Sequence, residues 1–419
     1  MIRSIMKRET IIQRRNECLK DHKKGSITVL FSGDLVKRSA DSTYPFVVNR
    51  NFYYLTNCDE DSLIYVYIHT ENSSKEILFI KDYNPLEEKW VGKSLTKDDA
   101  IHKSGVFVVY PLSQFESIFT RTLARNDVDT IYVDSERDSF KHRMNEAEKF
   151  TKRLNESYPH LKVININQKI NGLRTVKSNE EIDEMKKAID ITRIGIESIL
   201  KNLKPGRFEY QSAADFEYQC ALHNATLSFD TIAASGKDAT ILHYVTNQKP
   251  LVENELVLFD LGASYNHYCA DISRTFPVSG KFTDRQKTFY NIVLKAQEEV
   301  IKAIKPGVTL IQLNEIVRSV YKVECVKANI IETEDQVDQV YYHSVSHSLG
   351  LDTHDVGLVE GAVLKAGMVI TVEPGLYSEK ESIGIRIEDD ILVTENGSLN
   401  LSSSILKTVE EIEAFMNLS

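Results

Sequence analysis

Cysteine is scarce in this 419-residue chain. Its five copies (Cys18, Cys58, Cys220, Cys269, Cys325) are scattered, odd in number and free of any CxxC spacing. A disulfide framework or a zinc knuckle is therefore not expected, and a reducing, cytoplasmic location is. No apolar run approaches 18 residues, so no membrane span is read. The first ten residues lack an apolar stretch, and no signal peptide is read. Positive charge is in deficit: 51 Lys and Arg against 61 Asp and Glu leave a net −10, which argues against nucleic acid or an anionic membrane as partner. With 42% hydrophobic and 27% charged residues, the chain is ordinary globular protein, long enough for two domains.

The first part alternates helical and strand patterns. An amphipathic stretch at 8–22 precedes Ile27–Phe31, and short apolar runs follow at 52–55, 63–68, 77–80 and 106–110. Helical periodicity is read near 112–124 and 139–157, around further apolar runs at 130–134 and 163–166. This predicts an α/β N-terminal domain over 1–170 and a second domain over 171–419. Ser178-Asn179-Glu180-Glu181 forms a capping box that opens a long helix ending at Lys204-Pro205-Gly206.

That stop recurs at Lys305-Pro306-Gly307, after another long helix over 284–304. Two apolar hairpins recur with it. One carries Asp260 and Asp271, the other Glu373 and Glu388, and 113 and 117 residues separate the paired positions. The order helix, KPG, helix, hairpin thus occurs twice, which predicts a duplicated α+β domain with internal pseudo-twofold symmetry. A first turn between Tyr265 and Asn266 would set 260 opposite 271. A second near Lys380 and Glu381 would set 373 opposite 388. Carboxylates facing each other across antiparallel strands repel, and inside apolar strands they require cations.

Between the hairpins, His343, His347 and His354 fall within twelve residues, and His243 lies just upstream of the first hairpin. Alternation along 385–392 places Arg386, Glu388 and Asp390 on one face. Four carboxylates with an imidazole make an oxygen-rich ligand set, for which Mn²⁺ is the expected ion and Co²⁺ or Zn²⁺ the alternatives. Two such ions can activate water and polarise a carbonyl or phosphoryl oxygen.

These residues resemble those of the pita-bread metallopeptidases, in particular aminopeptidase P and the prolidases. The family pattern of Asp, Asp eleven residues on, His, Glu and Glu is met at Asp260, Asp271, His347, Glu373 and Glu388. The segments Asp271–Pro277, His347–Gly357, Val372–Tyr377 and Gly384–Asp389 carry the likeness. Arg38–Phe46 and Asn51–Thr56 resemble the N-terminal domain of aminopeptidase P, so the likeness spans nearly the whole chain.

The resemblance implies hydrolysis of the bond between an N-terminal residue and a penultimate proline, with two divalent ions. Asp271 and Glu388 would bridge them, Asp260 would complete one, and His347 and Glu373 the other. Glu373 would shuttle a proton. His243 and His354 would bind substrate and developing oxyanion, His343 would lie near the proline side, and Arg386 would support the site. A homodimer or homotetramer is implied, with Trp90 either reaching a neighbouring subunit's site or packed in a core. Ser344, Asn57 and Ala366 depart from the family's glycine, glycine and proline without touching a ligand. The alternatives are a strict Xaa-Pro dipeptidase and a non-catalytic pita-bread binding module.

Overall fold

The computed structural model describes residues 6–137, 139–358 and 361–418. It divides into two compact units, one running to Arg174 and one from Thr175 onward.

The first unit is built on a six-stranded mixed sheet of β1 (Ser26–Phe31), β2 (Ile64–His69), β3 (Ser74–Ile80), β4 (Val109–Pro111), β5 (Thr130–Val133) and β6 (Lys162–Asn165), in the order β4-β3-β2-β1-β5-β6. The β1–β2 and β2–β3 pairs are antiparallel and the rest parallel. One core gathers Ile27, Val29, Val66, Phe79 and Ile131 with Phe119 and Phe150 from helices. The apolar run at 52–55 is helical, within Arg50–Thr56. The Asn49 side chain accepts from the Phe52 N–H at its start, and Asn57 closes it at φ 56°, a left-handed turn that asparagine tolerates as glycine does. The helix expected over 139–157 begins only at Glu146, where Asn145 and Glu148 form a capping box. Trp90 lies in a short helix, Pro85–Val91, and is 88% exposed, which rules out a core role for it.

The second unit repeats one plan. Helices α1 (Asn179–Asn202) and α2 (Glu209–Leu222) flank the first KPG, and α3 (Asp284–Ala303) and α4 (Leu310–Lys327) flank the second. The repetition extends to single hydrogen bonds. Gly206 N–H donates to the Leu251 carbonyl and Gly307 N–H to that of Leu364. Bridges join Phe208 to Pro250 and Thr309 to Val363. Continuing the labels, the first half builds β7 (Ile232–Ser235), β8 (Leu256–Leu261), β9 (Ala263–Tyr265), β10 (Tyr268–Cys269) and β11 (Ile272–Pro277). The second builds β12 (Val369–Val372), β13 (Gly375–Ser378), β14 (Ile383–Arg386) and β15 (Asp389–Val393). Strand β8 lies between β7 and β11. β12 pairs with β15, and on its other side segment 345–348 takes the place of β7 through Glu373 N–H to Val345 O and Thr371 N–H to His347 O. Mid-helix Gly195 lets the α2 side chain Phe216 seat against α1, since a Cβ there would stand 2.3 Å from the ring.

Candidate metal centre

The two hairpins deliver their carboxylates differently. In the second, Val372 pairs with Asp389 and Gly375 with Arg386 in one register, which sets Glu373 across from Glu388. In the first, the turn falls one residue later than expected. Asn266 and His267 both take left-handed conformations (φ 53° and 68°), and Tyr265 pairs with Tyr268. Asp260 therefore faces Ser273, not Asp271. Asp271 comes to the site from the gap between β10 and β11, opposite the break at Gly262, where a Cβ would stand 1.8 Å from the Ala270 carbonyl oxygen.

All nine residues singled out from the sequence line one cavity of about 640 Å³: His243, Asp260, Asp271, His343, His347, His354, Glu373, Arg386 and Glu388. Phe229, Ile232, Leu242 and Val245 give it an apolar wall. Oxygen or nitrogen atoms of Asp271, His347 and Glu388 all lie within 4.8 Å of one another. His347 Nε2 is 3.3 Å from Asp271 and 3.5 Å from Glu373. Its Nδ1 lies 3.0 Å from the Ser348 carbonyl, so Nδ1 carries the proton and Nε2 is the atom turned to the carboxylates.

Around these groups is a web of polar contacts. Arg386 donates to Asp260 Oδ2 at 2.7 Å, to Ser273 Oγ at 2.8 Å and to the Tyr377 hydroxyl at 3.1 Å. The Ser273 hydroxyl donates to Glu388 at 2.7 Å. Asp390 accepts from the Asp271 N–H at 3.3 Å. His343 has Tyr377 on one ring nitrogen (2.9 Å) and the Ser344 carbonyl on the other (2.7 Å). His354 meets His347 edge-on, ring centroids 4.3 Å apart. Ser273, Tyr377 and Asp390 were not anticipated as supports. The alternation that sets Asp390 with Glu388 was the available signal, and nothing local marked Ser273 or Tyr377.

The electrostatics call for cations. Burial, joined by neighbouring carboxylates, raises Asp271 to about 6, Glu373 to about 7, and Glu388 well above the usual carboxylate range. Burial opposes charge on His347, yet contact with Asp271 lifts it to about 9. Burial, with Arg386 nearby, holds His343 down at about 4, and His354 is lowered by burial and by His347. On the far face, burial opposes ionisation of Asp389, but Arg274 and Lys407 hold it at about 2. Most telling is Asp260 Oδ1, buried without a hydrogen-bond partner. An orphaned carboxylate oxygen among four convergent carboxylates and one arginine fits divalent metal ions. A hollow of about 700 Å³ in the first unit, lined by Met144, Glu148, Lys152 and Asn165 among others, gathers no comparable set.

Comparison with known proteins agrees with this geometry. Residues 183–395 match Metallopeptidase family M24, and residues 11–132 match Aminopeptidase P, N-terminal domain. The Xaa-Pro aminopeptidase of Escherichia coli (strain K12) is 34% identical over 437 positions, which cover 99% of this chain and 98% of the relative. A solved structure from Bacillus anthracis superposes with a TM-score of 0.96 at 44% identity, and aminopeptidase P from E. coli with the inhibitor Pro-Leu with 0.89 at 33%, each covering 99% of both chains.

Proposed function

The chain belongs to metallopeptidase family M24, and from that premise we propose how its cavity works. Its fold is an aminopeptidase P type N-terminal domain followed by a pita-bread catalytic domain. It is a metalloexopeptidase, an Xaa-Pro aminopeptidase that hydrolyses the bond between an N-terminal residue and a following proline. The observation that carries the metal reading is the convergence of Asp260, Asp271, Glu373, Glu388 and His347, with one carboxylate oxygen buried and unsatisfied.

Asp271 and Glu388 would serve both ions, with Asp260 holding one and His347 with Glu373 the other. Divalent ions held there would supply the Lewis acidity that polarises the scissile carbonyl and lowers the pKa of the attacking water. Mn²⁺ suits the oxygen-rich set, with Co²⁺ or Zn²⁺ as alternatives. Glu373, which lines the cavity beside His347, takes the proton of the attacking water and gives it to the proline nitrogen. The His243 and His354 imidazoles donate to the substrate carbonyl as negative charge develops. His343, joined to Tyr377, shapes the proline side, and Arg386 fixes Asp260. The apolar wall of Phe229, Ile232, Leu242 and Val245 accepts the uncharged parts of the peptide.

A homodimer or homotetramer is part of the proposal. Its support is the exposure of Tyr83, Leu86, Trp90 and Val91 on one short segment, each at least 68% exposed. A cytoplasmic location accords with the free, buried cysteines. Among the described residues no helix is long and apolar enough to cross a membrane.

The discriminating test is alanine release from Ala-Pro and Ala-Pro-Ala. Cleavage of both is expected for an aminopeptidase. Cleavage of the dipeptide alone would make this a dipeptidase, and cleavage of neither would leave a binding module.

A further inference from the structure

His243 sits on the loop between β7 and β8, exposed at the cavity edge, and its ring has no hydrogen-bond partner among the described residues. What sets its place is the backbone of its loop, and that backbone converges on one buried group. Glu209, the first residue of α2, is wholly buried. One of its carboxylate oxygens accepts from the Ser235 N–H and hydroxyl, both at 2.7 Å. The other accepts from the Tyr244 hydroxyl at 3.0 Å and the Lys249 N–H at 2.9 Å. These four donors come from Ser235, the last residue of β7, and from Tyr244 and Lys249 in the loop, and Tyr244 is the residue next to His243. The Glu209 and Tyr210 N–H groups bind the same loop, at the Lys249 and Asn247 carbonyls.

The internal repeat separates this device from the scaffold. The backbone bridge beside it is present in both halves, at Phe208–Pro250 and Thr309–Val363. At the same 101-residue offset, the counterpart of Glu209 is Leu310. The duplicated fold therefore does not need a carboxylate there. Only the half whose loop carries His243 has one.

We propose that Glu209, acting through Tyr244 and the ends of the 236–249 loop, is a positioning residue for His243. It fixes the height and direction of the imidazole over the cavity, so that the N–H meets the carbonyl oxygen only as negative charge builds there. This rests on the reading of His243 as a donor to the substrate carbonyl. Buried hydrogen bonds to a carboxylate are short and directional, and an ångström of misplacement at such a donor costs up to about 100-fold in rate.

The test uses the full chain loaded with Mn²⁺ and Ala-Pro-Ala as substrate. Glu209→Gln and the milder Tyr244→Phe are each measured alone and in a His243→Ala background. Alone, Glu209→Gln is expected to lower kcat by about 10- to 100-fold and Tyr244→Phe by a smaller factor. KM and Mn²⁺ affinity, read by titration calorimetry, should stay near the parent values, because none of the five metal ligands is touched. In the His243→Ala background both substitutions should change kcat by less than about twofold, since residues acting through one another are not additive. Equal losses with and without His243, or undiminished kcat in a folded Glu209→Gln protein, would overturn the role given to Glu209. Full activity in His243→Ala alone would overturn the reading of His243 itself, and the positioning role with it.

Discussion

Replacing Glu373 by glutamine should stabilise the chelated protein while abolishing its activity. Burial is the largest influence on this carboxyl. His347 and Arg386 counter it, Asp271 and Asp260 reinforce it, and the balance raises the group from 4.5 to about 7. The sign follows from proton linkage. A carboxyl that binds its proton more tightly in the folded than in the unfolded chain weakens folding once pH passes the unfolded value of 4.5, and the cost is complete above about 7. The difference corresponds to roughly 3 kcal/mol at pH 8. Glutamine keeps the shape and drops the charge. For a unit of this size roughly 2–4 °C accompanies each kcal/mol, so Glu373→Gln should melt up to about 6–12 °C higher in chelator at pH 8. Near pH 4 the two proteins should melt together. His347 does not reverse the sign, because its closer partner, Asp271 at 3.3 Å, remains in the variant. With saturating Mn²⁺ the order should invert, since the variant lacks a ligand. Thermal unfolding followed by fluorescence from pH 4 to 9, with and without EDTA, reads all of this. A variant that melts below the parent at pH 8 in EDTA would show Glu373 to be a structural ion-pair partner, and the reasoning would fail.

Other substitutions test other parts of the site. His347→Ala should weaken Mn²⁺ binding by more than about 100-fold, beyond what loss of a supporting contact costs, and calorimetry would expose an unchanged affinity. Lys177 and Asp355 form a fully buried pair at 3.0 Å beside the His354 loop. Lys177→Met should cost about 3–5 kcal/mol in urea unfolding, and Lys177→Met with Asp355→Leu should recover most of it; a neutral single variant would refute the claim. Gly262→Ala puts a methyl against the Ala270 carbonyl, and should cost at least about 2 kcal/mol and weaken metal binding together. Loss of stability with intact metal affinity would show that the β8–β9 break does not set the spacing of Asp260 and Asp271.

Much of this was legible because the site is built from short motifs on regular strands. The ladder of the second hairpin follows from its turn at 379–382, so Glu373 and Glu388 could be paired from sequence. The first hairpin misled by one turn position. Its loop is set by left-handed Asn266 and His267 and by the crowding at Gly262, and neither leaves a periodic trace. The polar stretch at 139–145 resembled helix until its capping box at Asn145 and Glu148 marked the true start. Tyr377, Ser273 and Glu209 escaped for a different reason. Each acts through hydrogen bonds to residues far along the chain, as Ser273 does to Glu388 and Glu209 to Lys249, and no spacing rule reports those.

The most direct test of the central claim is a titration of fully chelated protein with Mn²⁺, following bound ions per chain and alanine release from Ala-Pro-Ala together. The account predicts no release without metal and full activity once two ions are bound. Release that survives complete chelation, or none with Mn²⁺, Co²⁺ or Zn²⁺ bound, would contradict it.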